Sequence, residues 1–326
     1  MKAHHNPTGG FRNPWPESTT MGLRGLLRWW RDRLRNPPPP DRVPSRARTA
    51  SPAFERPRAG SQRLTVTWVG HSTFLLQLGG LNLLTDPIWS DRASPVAWAG
   101  PKRWVPPAVS FDDLPPIDLV LLSHDHYDHL DAQSVSRLAA RDPDAHWFVP
   151  LGLSDFVRRL GVRGVSELDW WDQVVRGSLT LGCTPAQHFS GRRPWERDRS
   201  LWCGWSVATA DRRLLFVGDT GYHPEFRRIG ERFGPFDVVL VPVGAYEPRW
   251  FMQPVHMNPE EAIRACVDLR GATAQVAHCV PMHWGTFKLT DEPMDEPPRR
   301  ARAAWDAARL PPERFWLLAH GESRAL

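Results

Sequence analysis

The run SHDHYDHLD at positions 123–131 brings three imidazoles and a carboxylate, His124, His126, Asp128 and His129, within six positions of one another directly after the apolar stretch IDLVLLS. Imidazole and carboxylate are the ligands that suit zinc and its neighbours. A buried strand that ends in a tight loop turns alternate side chains toward one point, so His124 and His126 can share an ion. Asp128 and His129 lie just beyond, where a helix starts, and can reach a second ion beside the first. Two metals about 3.5–4 Å apart clamp both the attacking and the leaving oxygen of a displacement. A histidine-rich surface loop is the plain alternative, and it fits poorly with clustering this dense behind a buried strand. The motif reads as the centre of a hydrolase.

With 326 residues, 41% of them hydrophobic, the chain can bury a full core as one large domain or two small ones. No stretch approaches the roughly 20 uninterrupted apolar residues of a membrane span. The start, MKAHHNPTGGFRNPWPES, has no apolar core of the kind a secretory signal has. Cys183, Cys203, Cys266 and Cys279 are scattered without disulfide or metal-type spacing, as a reducing compartment tolerates. The expected location is cytoplasmic, with peripheral membrane association.

The net charge of +5 is unevenly spread. Residues 1–60 hold 12 Lys and Arg against 4 Asp and Glu, which leaves 29 against 32 for the rest. This leading arm also holds ten prolines, among them Pro37 to Pro40, and no strand periodicity. Within it, residues 22–35 place Leu23, Leu26, Leu27, Trp30 and Leu34 at helical spacing, with Arg24, Arg28, Arg31 and Arg35 mostly opposite. Such a basic amphipathic helix can lie in a lipid interface or dock on its own domain, and the two can coexist. Charge alone does not choose among nucleic acid, anionic lipid and solubility as the reason for a basic arm.

From residue 61 onward we expect one catalytic domain of alternating short strands and helices. LTVTWVG, TFLLQLG and LNLLTDP make an antiparallel meander, IDLVLLS follows, and helices are expected near 132–140 and 153–160. WCGWSVATADRRLLFVGD repeats the layout of the meander and FDVVLVP that of IDLVLLS. The chain thus reads as two related β-rich halves facing each other with helices outside, their second strand groups ending at Asp86 and Asp219.

Two ions need more ligands than one motif supplies. His188 after SLTLGCT, Asp219 after LLFVG and His283 after AQVAHCV all sit where a buried strand gives way to a loop. The expected grouping is His124, His126 and His188 on one ion and Asp128, His129 and His283 on the other, with Asp219 bridging. A lone strand-end histidine is more often structural; these gain weight only through the motif. His71 and Asp86 are expected to support the ligands from behind. His4 and His5, in the arm, are expected to be no more than adventitious binders, and His146, His223, His278 and His320 to be structural or at the surface.

These residues in this order resemble the metallo-β-lactamase fold superfamily. HHNP, FRNPWP, TDPIWSDRASP, GPKRW, FVPLGL, ELDWW, GDTGY, RFGPFD, GAYEPRWFM, NPEEA, HWGTF and HGESR narrow the resemblance to the N-acyl-phosphatidylethanolamine-hydrolysing phospholipase D family, over nearly the whole chain. The resemblance implies an α/β fold, a four-layer αβ/βα sandwich of two facing mixed β-sheets with outer helices. It also implies two Zn2+ per chain, a homodimer and a membrane-associated enzyme that releases an N-acylethanolamine and leaves phosphatidic acid. A hydroxide bridging the two metals would attack phosphorus in line, with Asp128 steering the water. His256 in QPVHMNPEEA becomes a candidate acid toward the leaving oxygen, although it also simply precedes a helix start at Asn258 and Pro259. Tyr246, Arg249 and Trp98 are candidates for substrate contact. Of the 17 tryptophans, Trp15, Trp29 and Trp30, with Leu26, are assigned to the membrane surface. The middle of SPVAWAGPKRW departs from the vertebrate-like pattern, which leaves acyl-chain preference open.

Three other functions compete. A soluble hydrolase of a lactone or small phosphodiester would need no lipid-binding helix. A nuclease would need an aromatic and basic stacking surface, which the sequence does not offer, so no nucleic-acid partner is expected. A non-catalytic lipid binder would have lost ligands, and none is lost.

Overall fold

Val238 and Leu240 of FDVVLVP are buried in one apolar cluster, while Val239 and Val241 are buried in another. The same division recurs in IDLVLLS, where Leu119 and Leu121 join Val238 and Leu240 and Val120 faces a third cluster. Strands that read as continuous apolar runs are covered on both faces, and alternate residues go to opposite sides. The computed structural model describes residues 2–15, 22–39, 41, 49–193, 195–273 and 275–326, and shows what the three clusters separate.

Two sheets face each other. The first contains, in chain order, β1 (Thr65–Gly70), β2 (Thr73–Leu78), β3 (Leu81–Thr85), β4 (Leu119–Leu121), β5 (His146–Pro150) and β6 (Gly164–Leu168). The second contains β7 (Gln173–Arg176), β8 (Leu179–Thr184), β9 (Gly204–Ala208), β10 (Arg213–Phe216), β11 (Val238–Pro242) and β12 (His278–Met282). The last strand, β13 (Ser323–Ala325), returns to the first sheet beside β1. In each sheet an antiparallel meander passes into parallel strands: β1, β2 and β3 lead to β4 with Leu83 opposite Leu119, and β8, β9 and β10 lead to β11 with Leu214 opposite Val238. The repeated layout in the sequence is this repeated topology.

The cluster between the sheets takes Trp68, Phe74, Leu76 and Phe148 from one side and Leu181, Trp205, Phe216 and Met282 from the other. Outside the first sheet lie α2 (Ala132–Arg141) and α3 (Ser154–Arg159), with Val135, Leu138 and Val157 turned inward. Outside the second lie α4 (Phe226–Phe233), α6 (Pro259–Asp268) and α7 (Glu296–Ala307), the last burying Trp305. The order helix, sheet, sheet, helix is the four-layer αβ/βα sandwich expected. Among the described residues, no helix is long and apolar enough to cross a membrane.

The leading segment differs from expectation. Residues 2–15 are not a loose arm but a strap laid on the domain. His4 is buried, its Nε2 2.6 Å from Asp169 Oδ1, and His5 Nε2 lies 2.8 Å from Asp169 Oδ2. Trp15, assigned to lipid from the sequence, is instead stacked on Trp170 and His223. The amphipathic helix is present as α1 (Leu23–Arg35) and is docked by one side: Trp29 Nε1 donates to Asp291 at 2.5 Å, Arg33 pairs with Asp291 and Arg28 covers Trp250. Its other side leaves Leu26, Leu27, Trp30 and Leu34 exposed. Of the proline-rich stretch after it, residues 40 and 42–48 lie outside the described residues.

Candidate metal centre

The parallel strands of each sheet run the same way, and the chemistry-bearing residues gather beyond their carboxyl ends, where open α/β sheets bind ligands. Asp86 follows β3, His124 lies three residues beyond β4, His188 follows β8, Asp219 follows β10 and His283 follows β12. His126, Asp128 and His129 occupy the turn between β4 and α2, closed by hydrogen bonds from the amides of His129 and Leu130 to the His126 carbonyl. Asp131 then caps α2 through Ser134.

Seven expected donors converge as two groups joined by a carboxylate. His126 Nδ1 lies 2.8 Å from His124 Nε2 and 3.1 Å from His188 Nε2. Asp128 Oδ2 is 3.4 Å from His129 Nε2 and 3.3 Å from His283 Nε2. Asp219 Oδ2 stands 3.1 Å from His129 Nε2 and 3.0 Å from His283 Nε2. His71, expected to support the ligands from behind, has its Nε2 3.0 Å from Asp128 Oδ2 and close to His129 and His283 as well.

The surroundings fix which nitrogen each ring presents. Asp86 Oδ2 accepts from His129 Nδ1 at 2.7 Å and from Ser123 Oγ at 2.6 Å, and Ser123 Oγ accepts in turn from His124 Nδ1 at 2.8 Å. His188 Nδ1 donates to the Val255 carbonyl at 2.9 Å. In His124 and His188 Nε2 is thereby left as a lone-pair donor, the form a metal ligand needs; at His129, against the pull of burial, the Asp219 and Asp128 carboxylates raise the imidazole well above its ordinary range.

The donor set fits divalent ions. Burial pushes the His124 imidazole well below its ordinary range, His126 to about 3 and His188 to about 4, so these rings are neutral. Burial alone would push the Asp128 and Asp219 carboxyls up, but adjacent histidines outweigh it and hold both well below the ordinary carboxylate range. Their charge in turn raises His283 to about 9 against the pull of burial. Buried negative charge of this kind calls for a cation. His129 Nε2, His283 Nε2 and Asp219 Oδ1 are buried and have no partner with hydrogen-bond geometry among the described residues, as donors directed at a common ion would be.

Backbone conformation is specialised at the same place. Four of the seven described non-glycine residues with positive φ, His71, Asp86, Ala245 and His283, border the centre. Gly244 is needed because β11 and the end of β12 touch there: a Cβ at this position would lie 2.0 Å from the His283 carbonyl oxygen. Gly244→Ala is therefore expected to cost about 1–3 kcal/mol and to displace His283. Chemical denaturation and metal content per chain would check this, and wild-type values in both would count against the packing argument.

The site residues inferred from family motifs fare unequally. His256 lines the cavity beside the cluster, its Nδ1 3.8 Å from Asp219 Oδ2, and Arg249 fixes it from behind by donating to its carbonyl while gripping Glu261 with two bonds. Glu261 and Asn258 close a capping box at the start of α6, so the helix-start reading of QPVHMNPEEA is also present. Tyr246 is wholly buried and its hydroxyl donates to Glu296 at 2.7 Å, which makes it framework and corrects its assignment to substrate. Trp98 is 80% exposed and is not among the residues that line the cavity at the metal centre. Trp29, expected at the membrane, lines that cavity instead and packs against Phe251 with the rings tilted.

The cavity holds about 370 Å3. Its floor is His126, Asp128, Asp219 and His256, and its walls include Leu26, Trp29, Phe251, Met252, Val255 and Leu289. The sequence did not single out this apolar wall, because its residues come from α1, from α5 (Arg249–Met252) and from loops far apart in the chain.

A second histidine cluster gives a useful contrast. His4, His5 and Asp169 also bring ligand atoms together. Here, however, both imidazoles face the carboxylate at hydrogen-bond distance and the Lys2 ammonium sits 2.9 Å from Asp169 Oδ2. Satisfied polar atoms and a resident cation make this an anchor for the strap.

Residues 81–284 match the family model described as "Beta-lactamase superfamily domain". An N-acyl-phosphatidylethanolamine-hydrolyzing phospholipase D of Caenorhabditis elegans is 43% identical over 255 residues, 75% of this chain and 70% of that protein. The mitochondrial protein of the same name from Saccharomyces cerevisiae is 37% identical over 238 residues, 71% of this chain and 49% of its own length. Among solved structures, a metallo hydrolase of Ignicoccus hospitalis superposes with a TM-score of 0.61 over 81% of this chain and 98% of that one; at 23% identity it speaks for the fold.

Proposed function

From the premise that the chain belongs to the N-acyl-phosphatidylethanolamine-hydrolysing phospholipase D family of the metallo-β-lactamase fold superfamily and is a metal-dependent hydrolase, we propose that its substrate is an N-acyl-phosphatidylethanolamine. Hydrolysis at phosphorus releases the N-acylethanolamine and leaves phosphatidic acid. The observation that carries this reading is the cavity, whose polar floor holds the candidate ligands while an exposed amphipathic helix forms part of its apolar wall. A small hydrophilic ester would need the ligands but neither the apolar wall nor the exposed helix.

In this reading His124, His126 and His188 hold one zinc ion and Asp128, His129 and His283 a second, with Asp219 shared. Zinc there would supply Lewis acidity at the phosphoryl oxygens and lower the pKa of water toward neutrality. The protein supplies position. Asp86 and Ser123 hold His129 and His124 in one tautomer, and His71 donates to Asp128 from the buried side. Asp128, on the cavity floor, steers the attacking water and receives its proton at a carboxylate oxygen. His256, with its carbonyl held by Arg249, stands on the side of the leaving N-acylethanolamine oxygen. Trp29, Phe251 and Leu289 receive the first methylenes of the lipid and exclude bulk water.

Membrane association follows from α1, whose exposed Leu26, Leu27, Trp30 and Leu34 enter the headgroup boundary while its arginines meet phosphates. The cytoplasmic face of a membrane and a homodimer complete the proposal. Mass spectrometry of products from vesicles containing N-acyl-phosphatidylethanolamine tests it, with N-acylethanolamine and phosphatidic acid expected in equal amounts and lost in Asp128→Asn. Turnover of a water-soluble phosphodiester or lactone with the vesicles left intact would overturn it.

A further inference from the structure

The main chain of His188 is held by a residue of the leading strap, far away in the sequence. Asn13 Nδ2 donates to the His188 carbonyl at 2.7 Å, and the His188 amide donates back to Asn13 Oδ1 at 3.2 Å. Across 175 residues of chain, one side-chain amide thus pairs with both polar groups of His188 as a neighbouring strand would. The Trp202 indole, which also donates to the Ala186 carbonyl at 2.9 Å, reaches Asn13 Oδ1 at 3.2 Å and fixes the amide's orientation. An amide in this place is unambiguous: the carbonyl side receives two N–H groups and the NH2 side faces an oxygen.

Asn13 is itself held. Upstream, His4 and His5 grip Asp169, and the Phe11 amide donates to the Asp198 carbonyl at 2.8 Å. Downstream, Trp15 is stacked on Trp170. Between these two attachments the backbone at Asn13 has little freedom, so its side chain acts as a fixed strut. His188 needs one. It lies in a loop four residues beyond β8, and on the side of the ring turned away from His126 it is held by one bond, from Nδ1 to Val255.

We propose that Asn13 is a positioning residue for the metal centre, and that the strap of residues 2–15 is a working part of the catalytic unit because it aims His188 at the ion shared with His124 and His126. The proposal rests on the reading of His188 as a ligand. It assigns a role to the FRNPW motif that lipid contact does not: the arginine and proline flank the asparagine, and the asparagine reaches the centre.

Outer-shell supports of ligands typically change metal affinity about 10–100-fold when removed. In the full-length protein, Asn13→Ala is expected to weaken one of two Zn2+ ions by about that factor in chelator competition, while the other keeps its wild-type affinity. The Co2+-loaded variant should show an altered visible spectrum, and thermal unfolding of the metal-free protein should change little. Asn13→Asp preserves size and acceptor but sets a carboxylate oxygen against the His188 carbonyl, so it is expected to weaken the same ion at least as much, and it serves if the alanine variant fails to fold. His188→Ala provides the reference. If His188→Ala loses an ion while both Asn13 variants bind two Zn2+ with wild-type affinity and spectrum, the positioning role is overturned and the ligand reading stands. If His188→Ala itself keeps both ions at wild-type affinity, the ligand reading falls and the positioning role with it.

Discussion

Asp219→Ala is expected to lower kcat/KM by about three orders of magnitude or more and to reduce the metal bound per chain below two. Asp219 Oδ2 stands 3.1 Å from His129 Nε2 and 3.0 Å from His283 Nε2, both in the second group, and Asp219 also has a carboxylate oxygen within 4.8 Å of a ring nitrogen of His188, in the first; the side chain is buried with its second oxygen unpartnered. It is the carboxylate best placed to be common to two cations. Removing it takes one negative charge from between two positive centres in a low-dielectric setting, where like charges are hardest to hold together. Lewis-acid stabilisation of a phosphoryl transition state is worth several kcal/mol, and about 4 kcal/mol corresponds to roughly a thousandfold in rate. Asp219→Asn separates charge from shape, because one oxygen and the volume remain while the anion is gone; it should retain the fold and one ion more readily than alanine does. Metal analysis by mass spectrometry alongside steady-state kinetics checks both. Two ions per chain and activity within tenfold of wild type in Asp219→Ala would remove Asp219 from the shared position.

The centre was legible because its chemistry is concentrated where sequence is informative. Four donors are nearly contiguous in SHDHYDHLD, and the other three each follow a run apolar enough to be a buried strand. The alternation of Val238, Val239, Leu240 and Val241 between two clusters likewise follows from strand geometry once the run is taken as a strand. What could not be read is pairing across long stretches of chain. His4 looked loose because nothing near it in sequence indicates Asp169, which lies 165 residues away. Trp15 and Trp29 carry the composition of a membrane interface, but an aromatic ring is equally suited to stacking, and Trp170, His223 and Phe251 decide the matter from distant segments. Tyr246 looked like a substrate contact because GAYEPRWFM is polar and specific; the half-buried Glu296 that accepts its hydroxyl is 50 residues further on. Asn13 escaped notice for the same reason, since an asparagine in a proline-rich arm suggests a turn and its partner is the main chain of another loop.

Replacing both Leu27 and Trp30 by serine is expected to reduce partition onto anionic vesicles by two to three orders of magnitude. Both are largely exposed, at 59% and 64%, on the outward side of α1. Burying a large apolar side chain is worth about 1.5–3 kcal/mol, so two that are more than half exposed can lose about 3–4 kcal/mol on truncation. Each 1.4 kcal/mol is tenfold in an equilibrium constant. The inward side of the helix is left intact: Trp29 still donates to Asp291, Arg33 still pairs with the same carboxylate and Arg28 still covers Trp250, so the wall of the cavity remains in place. Hydrolysis of a short-chain, water-soluble analogue should consequently stay near wild type while activity on vesicles falls with binding. Raising the salt concentration separates the two contributions, because the exposed arginines of α1 are screened at high ionic strength whereas apolar insertion is not. A double variant that sediments with vesicles as the wild type does would show that α1 is docked for the sake of the cavity alone, and that the lipid reaches the centre by another face.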